Sequence, residues 1–221
     1  MKTFFTTTRI TGFMYLGLAI TGMVAFLFAR QKLYVPEDAM TTATNFFVQE
    51  GLARIGIAAE LALVAFQALT AVWFFKLFRN VNSFAAGSLA TFGSINAVLI
   101  LIGTAAWLSS FMTATSTGVT PTPDQANSAY MLFNLHETTW MVGKLFFGLW
   151  LIPMGYLVGA AKMPKLLSWS LIAGGLGYFI SLFLQILAPG ISTGIIESLT
   201  IPADIGEFWI IGYLLFKRVK I

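Results

Sequence analysis

Long apolar runs, set off by short polar segments, occupy most of the chain. Six runs carry few or no charges: 11–28, 52–75, 84–111, 140–161, 166–187 and 201–216. A bilayer-spanning helix needs roughly 20 mostly apolar residues, with a range of about 17–25. The pattern therefore predicts an all-α, polytopic membrane bundle of six transmembrane helices. The runs follow one another without a polar linker, so residues 1–221 are expected to form a single integral membrane domain.

The connecting segments 30–51 and 112–139 are long and carry helix-start signals, which predicts extra short helices on one side of the membrane. Pro36-Glu37-Asp38 opens one, expected to reach about Glu50. Thr122-Pro123-Asp124-Gln125 reads as a capping box, with Thr at the N-cap, Pro at the first position and Gln at the third. A helix running unbroken from there to Ala161 would be roughly 58 Å long at 1.5 Å per residue. It must project, lie along the surface or bend, and Pro153 is the candidate kink. The last run has the opposite problem. From Pro202 to Phe216 it measures only about 22 Å, so its outer end is expected below the surface, under the loop at Pro189, Gly190 and Gly194.

Composition agrees with a membrane chain. Of 221 residues, 57% are hydrophobic and 10% charged, against roughly 25% charged in a soluble domain, and the mean hydropathy is +0.82. The net charge of +4 does not point to nucleic acid, because the basic residues form short clusters between apolar runs. Basic loops stay cytoplasmic. Lys2, Arg9, Lys76, Arg79, Lys162, Lys165, Lys217, Arg218 and Lys220 lie on one set of flanks, and only Arg30 and Lys32 on the other. That nine-to-two split predicts both termini in the cytoplasm, with segments 30–51 and 112–139 outside. Lys2 and Arg9 before the first run could also introduce a signal peptide. The run ends Phe26-Leu27-Phe28-Ala29-Arg30 without a small-x-small site, so it is expected to be a retained helix.

Ionisable groups are costly within a bilayer, and each one there needs a reason. Arg54 and Glu60 lie in the second run, Lys144 in the fourth, and Asp204 and Glu207 in the sixth, with His136 and Glu137 just before the fourth. These three runs all enter from outside. Counted from the cytoplasmic flank, Glu60 lies roughly 24 Å up, Lys144 roughly 27 Å and Glu207 roughly 15 Å. Similar depths predict an outward-opening polar pocket between helices two, four and six. Glu60, Lys144 and Glu207 would line it, and Arg54 and His136 would stand near its mouth. Helical spacing puts Glu137 with Lys144, Glu60 with Gln67, and Asp204 with Glu207 on shared faces. Two cations face four carboxylates, so at least one carboxylate would take up a proton or hold a cation.

Plainer roles compete with these. Arg54 can snorkel to the surface. Asp204, two residues after Pro202, can cap the first turn. Glu60 can form a structural pair with Arg54 or Lys144, and His136 can be a surface hydrogen-bonder at the water boundary. Glu207 has no helix-end role to explain it. Asn96 and Gln185 can simply hydrogen-bond across helices.

Several chemistries are excluded. There is no cysteine, hence no disulfide, thiolate metal site or cysteine nucleophile, and one histidine cannot give bis-histidine haem ligation. No metal-ligand set, nucleophile elbow, phosphate loop or dinucleotide fingerprint is present, so no cofactor, metal or catalytic residue is expected.

An ordered set of short motifs resembles a bacterial membrane-protein family known only as domain of unknown function 4386. They are Arg9-Ile10-Thr11-Gly12, Glu50-Gly51-Leu52-Ala53-Arg54-Ile55-Gly56, Leu135-His136, Gly155-Tyr156-Leu157, Pro164-Lys165-Leu166-Leu167, Gly175-Leu176-Gly177-Tyr178 and Pro202-Ala203-Asp204-Ile205-Gly206-Glu207. One departure is Ser168, where the family often places glycine. The resemblance implies a six-helix protein of the bacterial inner membrane and marks Arg54, His136 and Glu207 as motif positions. It supplies no activity.

The residues together lead to the expectation of a binding or translocation protein for a proton, a cation or a small polar or amphipathic ligand. The alternatives are a non-catalytic accessory or assembly subunit docked to a membrane partner or to another copy, and an intramembrane enzyme using His136 and Glu137. The lipid bilayer is the expected partner, and nucleic acid is not expected.

Overall fold

A computed structural model describes residues 6–188, 190–217 and 219. Lys2, Pro189, Arg218 and Lys220, which entered the topology and loop expectations, lie outside them. The described chain is helical, without a strand. Helix α1 (Thr7–Met23) continues through a π-helical segment, Val24–Arg30, into the single turn α2 (Gln31–Leu33). Then come α3 (Ala39–Val48), α4 (Glu50–Phe78), α5 (Ser83–Thr115), α6 (Pro123–Ala160), α7 (Lys165–Leu187), α8 (Thr193–Ser198) and α9 (Ile201–Phe216). Among the described residues, six helical segments are long and apolar enough to cross a membrane: Thr7–Leu33, Glu50–Phe78, Ser83–Thr115, Pro123–Ala160, Lys165–Leu187 and Thr193–Phe216. The protein is an all-α, multi-pass membrane protein.

The cap signals act as their chemistry requires. The Asp38 side chain accepts from the Thr41 amide at 2.8 Å and starts α3. Gln125 accepts from the Thr122 amide at 2.9 Å while its own amide faces the Thr122 hydroxyl, closing the capping box of α6. The Thr41 hydroxyl and amide hold the Asp38 carboxyl below its ordinary value of 3.8. A depressed carboxyl stabilises the fold above its unfolded pKa and loses that contribution as pH falls through the native one. The protection factor of the Thr41 amide in hydrogen exchange should therefore fall on acidification below that range. Asp38→Asn, an equally good N-cap, should keep the protection and abolish its pH dependence.

Two findings revise the expected lengths. The sixth span is not a single short helix. The loop residues before it wind into α8, which extends the span to 24 residues interrupted at Leu199–Thr200. Helix α6 runs 38 residues with Pro153 inside it, so the capping box and the fourth apolar run belong to one element.

Contacts divide the chain into two compact units, and the division falls within helices. One comprises Met1–Leu16, Phe66–Ala97 and Val142–Ile221; the other comprises Gly17–Ala65 and Val98–Met141. In the first, backbones approach closely at small residues, as membrane helices without a hydrophobic driving force between them require. A Cβ on Gly148 would stand 2.6 Å from the Gly175 carbonyl, one on Gly174 would collide with the Ala203 backbone, and one on Gly177 with the Leu199 carbonyl. Thus α7 packs on α6 and on α9 through glycine. The second unit has an aromatic core of Phe46, Trp107, Phe111 and Phe133, packed with Ala29, Ala43 and Ala53.

Candidate functional site

The buried charges gather into two clusters, one in each unit. In the second unit, Glu60 on α4 and His136 on α6 lie on inward faces of their helices, their side chains 1% and 0% exposed. His136 Nε2 lies 2.9 Å from Glu60 Oε1, and the Trp140 indole N–H donates to the same oxygen at 2.5 Å. His136 Nδ1 lies 3.2 Å from Glu137 Oε1. The outer oxygens of Glu137 receive a two-pronged hydrogen bond from Arg30 at the end of the π-helical segment. Trp107 and Phe133 pack at a tilt against the imidazole, with centroids 5.3 and 5.0 Å away.

This is a chain of guanidinium, carboxylate, imidazole and carboxylate with aromatic walls. A neutral imidazole has one donor and one acceptor, yet both nitrogens face carboxylate oxygens. Both contacts are satisfied when one further proton sits on the imidazole or on Glu60, and the four groups then sum to zero charge. His136 is therefore not at a water boundary, and Glu60 pairs with neither Arg54 nor Lys144. Arg54 pairs with Glu50 one turn earlier at 2.6 Å, both side chains more than half exposed, and lies 5.2 Å over the Phe111 ring.

The cluster in the other unit is open. Lys144 on α6 is half-buried and its ammonium donates to the Gln185 carbonyl on α7 at 3.0 Å. These two line a cavity of about 170 Å³ with Tyr178, Thr193, Glu197 and Thr200. Helix α8 supplies Thr193 and Glu197, and the break between α8 and α9 supplies Thr200. The cavity lies between the fourth, fifth and sixth spans; the fifth takes the place expected of the second. Glu207 accepts a hydrogen bond from the Tyr15 hydroxyl of α1, and Tyr15 packs edge-on against Phe74 and Trp150 at 5.5 and 5.7 Å. Asp204 is exposed in the first turn of α9, and the capping residue Thr200 makes no side-chain cap bond. Its part there is to favour the helix dipole.

Gln67 is fully buried and donates to the Gly93 carbonyl at 3.3 Å, one turn below Asn96, whose amide is buried without a partner among the described residues. Gln67 thus belongs to the glycine-lined contact of α4 with α5.

Of the expected site residues, the structure joins Glu60, His136 and Glu137 in one unit; in the other, Lys144 meets Gln185, Glu207 meets Tyr15 and Asp204 is exposed. Arg30, Trp140, Tyr15, Tyr178 and Glu197 were not anticipated. Arg30 had counted only as a flank charge, although it stands at the end of an apolar run. The tyrosines are polar tips inside apolar runs, a signal for a hydrogen-bonded partner.

The family described as domain of unknown function (DUF4386) matches residues 10–217. Comparison with curated proteins and with solved structures finds no match.

Proposed function

The chain belongs to the family described as domain of unknown function DUF4386, and from that premise we propose a binding or translocation protein for a small polar ligand, seated in the bacterial inner membrane. One observation carries this reading: a half-buried ammonium, Lys144, lines a polar cavity of about 170 Å³ between the fourth, fifth and sixth spans. Drug-sized ligands occupy about 300–1,000 Å³, so the occupant is small, a few heavy atoms or an ion with its water. Lys144 and Glu197 offer one charge of each sign, and Thr193, Thr200 and Gln185 offer neutral hydrogen bonds. A small zwitterion or carboxylate suits that set. Glu207, in the same span as Glu197, accepts a hydrogen bond from Tyr15 and would carry a coupled proton.

The nine-to-two distribution of Lys and Arg supports cytoplasmic termini, which would open the cavity on the outer side. The enzyme alternative loses support, because both nitrogens of His136 are engaged and its side chain is fully buried.

The test is a thermal-unfolding series in detergent with glycine, acetate and methylammonium as probes. A site-specific ligand at a hundredfold excess over its Kd stabilises by about 2.7 kcal/mol. Glycine or acetate should raise the midpoint of the natural protein. Lys144→Met should remove that rise without lowering the unliganded midpoint by more than a few degrees, and Glu207→Gln should change the pH dependence of the rise. An equal response from Lys144→Met would overturn the reading.

A further inference from the structure

A second cavity has a different character. It is an open groove of about 510 Å³ between α5 and α6, walled by Phe84, Phe92, Leu149, Ile152 and Pro153. Phe84 is 86% exposed at its edge. Its polar end is set by Asn82, whose side-chain amide donates to the Tyr156 hydroxyl at 3.3 Å. Asn82 also caps α5 by accepting from the Ala85 amide at 2.9 Å. The hydrogen bond therefore ties the α4–α5 turn to the last turns of α6.

Charge at that end is unbalanced. Arg79 lies three residues before Asn82, and Lys162 and Lys165 follow the end of α6, all exposed. No acidic residue occurs anywhere in 61–123 or 138–196, and none of the ion pairs found among the described residues involves these three cations. Lys162 is held at φ 55°. The Met163 amide bonds the Val158 carbonyl and the Lys162 amide bonds the Gly159 carbonyl, which is the Schellman closure that ordinarily places glycine at this position. A lysine stands where the backbone favours glycine, six residues after Tyr156 at the same end of α6.

We propose that this groove is a binding site for one anionic phospholipid. An acyl chain lies along Phe84, Phe92, Leu149 and Ile152, and the phosphate sits at the Asn82–Tyr156 pair under Arg79 and Lys162. Charge complementarity commits the site to an anionic headgroup, since basic rims between membrane helices recognise such lipids. The apolar wall, open along its length, requires the acyl chain.

The experiment uses the purified full chain in a neutral detergent, titrated with phosphatidylglycerol, with phosphatidylcholine of the same chains, and with glycerol 3-phosphate as a headgroup without chains. Phosphatidylglycerol should raise the unfolding midpoint by several degrees more than phosphatidylcholine, and glycerol 3-phosphate should leave it unmoved. Arg79→Gln with Lys162→Gly should weaken half-saturation by phosphatidylglycerol at least fivefold. Lys162→Gly relaxes the backbone, so the lipid-free protein stays folded and the loss is read against an intact reference. Ser88→Phe, which fills the groove, should abolish the response to both lipids. Equal stabilisation by the two lipids, an unchanged response in the double variant, or an equal effect of glycerol 3-phosphate would each overturn the proposal.

Discussion

Replacing Glu60 with alanine should lower the unfolding free energy by about 3–5 kcal/mol, because it leaves a buried partner uncompensated. The Trp140 indole and His136 Nε2 would then face apolar walls, and Glu137 would be shared between Arg30 and the other face of the imidazole. The pair is expensive to break and inexpensive to replace. Glu60→Met combined with His136→Leu leaves the Arg30–Glu137 pair intact and the remaining cluster neutral. It should be less destabilising than the sum of the two single variants, with a coupling of about 0.5–3 kcal/mol. Reversible unfolding in mixed micelles measures both. Strict additivity would mean that the two side chains do not share a proton-mediated contact.

Glycine positions in the first unit should give the other large effect. Gly177→Ala places a methyl group against the Leu199 carbonyl, and Gly174→Ala places one against the Ala203 backbone. Neither obstacle is a flexible side-chain end, so α7 and α9 must separate. Overpacking costs typically about 1–3 kcal/mol, and more where backbone must move. Gly212 and Gly51 have open space around a Cβ. At those positions alanine should be neutral or should gain up to about 1 kcal/mol from helix propensity. The contrast between the two sets, read in one unfolding assay, separates close packing from a general intolerance of glycine substitution. Because Leu199 stands at the α8–α9 break, Gly177→Ala should also reshape the Lys144 cavity and weaken whatever binds there.

Much of the architecture was legible because its causes are local. Six apolar runs of spanning length, an N-cap at Asp38 and a capping box at Thr122 each depend on a few neighbouring residues. The π-helical segment Val24–Arg30 was not legible, since nothing in Val-Ala-Phe-Leu-Phe-Ala-Arg distinguishes it from an ordinary helix. It nevertheless sets where Arg30 reaches Glu137. The turn α8 was hidden because prolines and glycines around it read as a loop.

For the site, residue types and depths were legible and pairings were not. Glu60 and His136 are 76 residues apart, and their meeting depends on how two helices are rotated about their axes. The expected partner of Arg54, Glu60, lies six residues on, and the partner found, Glu50, lies four residues earlier on one helix face. Lys144 was placed by its cost in an apolar run; its surroundings were not, because Thr193 and Glu197 come from the hidden helix α8 and Thr200 from the break after it.

The cysteine-free sequence allows the claim of an outward polar cavity to be tested directly. Lys144→Cys and Thr200→Cys line the cavity, and Ile205→Cys, 57% exposed on an apolar face, reports the bilayer. A membrane-impermeant thiol reagent is added to intact cells. The cysteines at 144 and 200 should react from outside while the one at 205 stays unlabelled. Labelling of 144 and 200 only after the cytoplasmic face is exposed, or not at all, would contradict that claim.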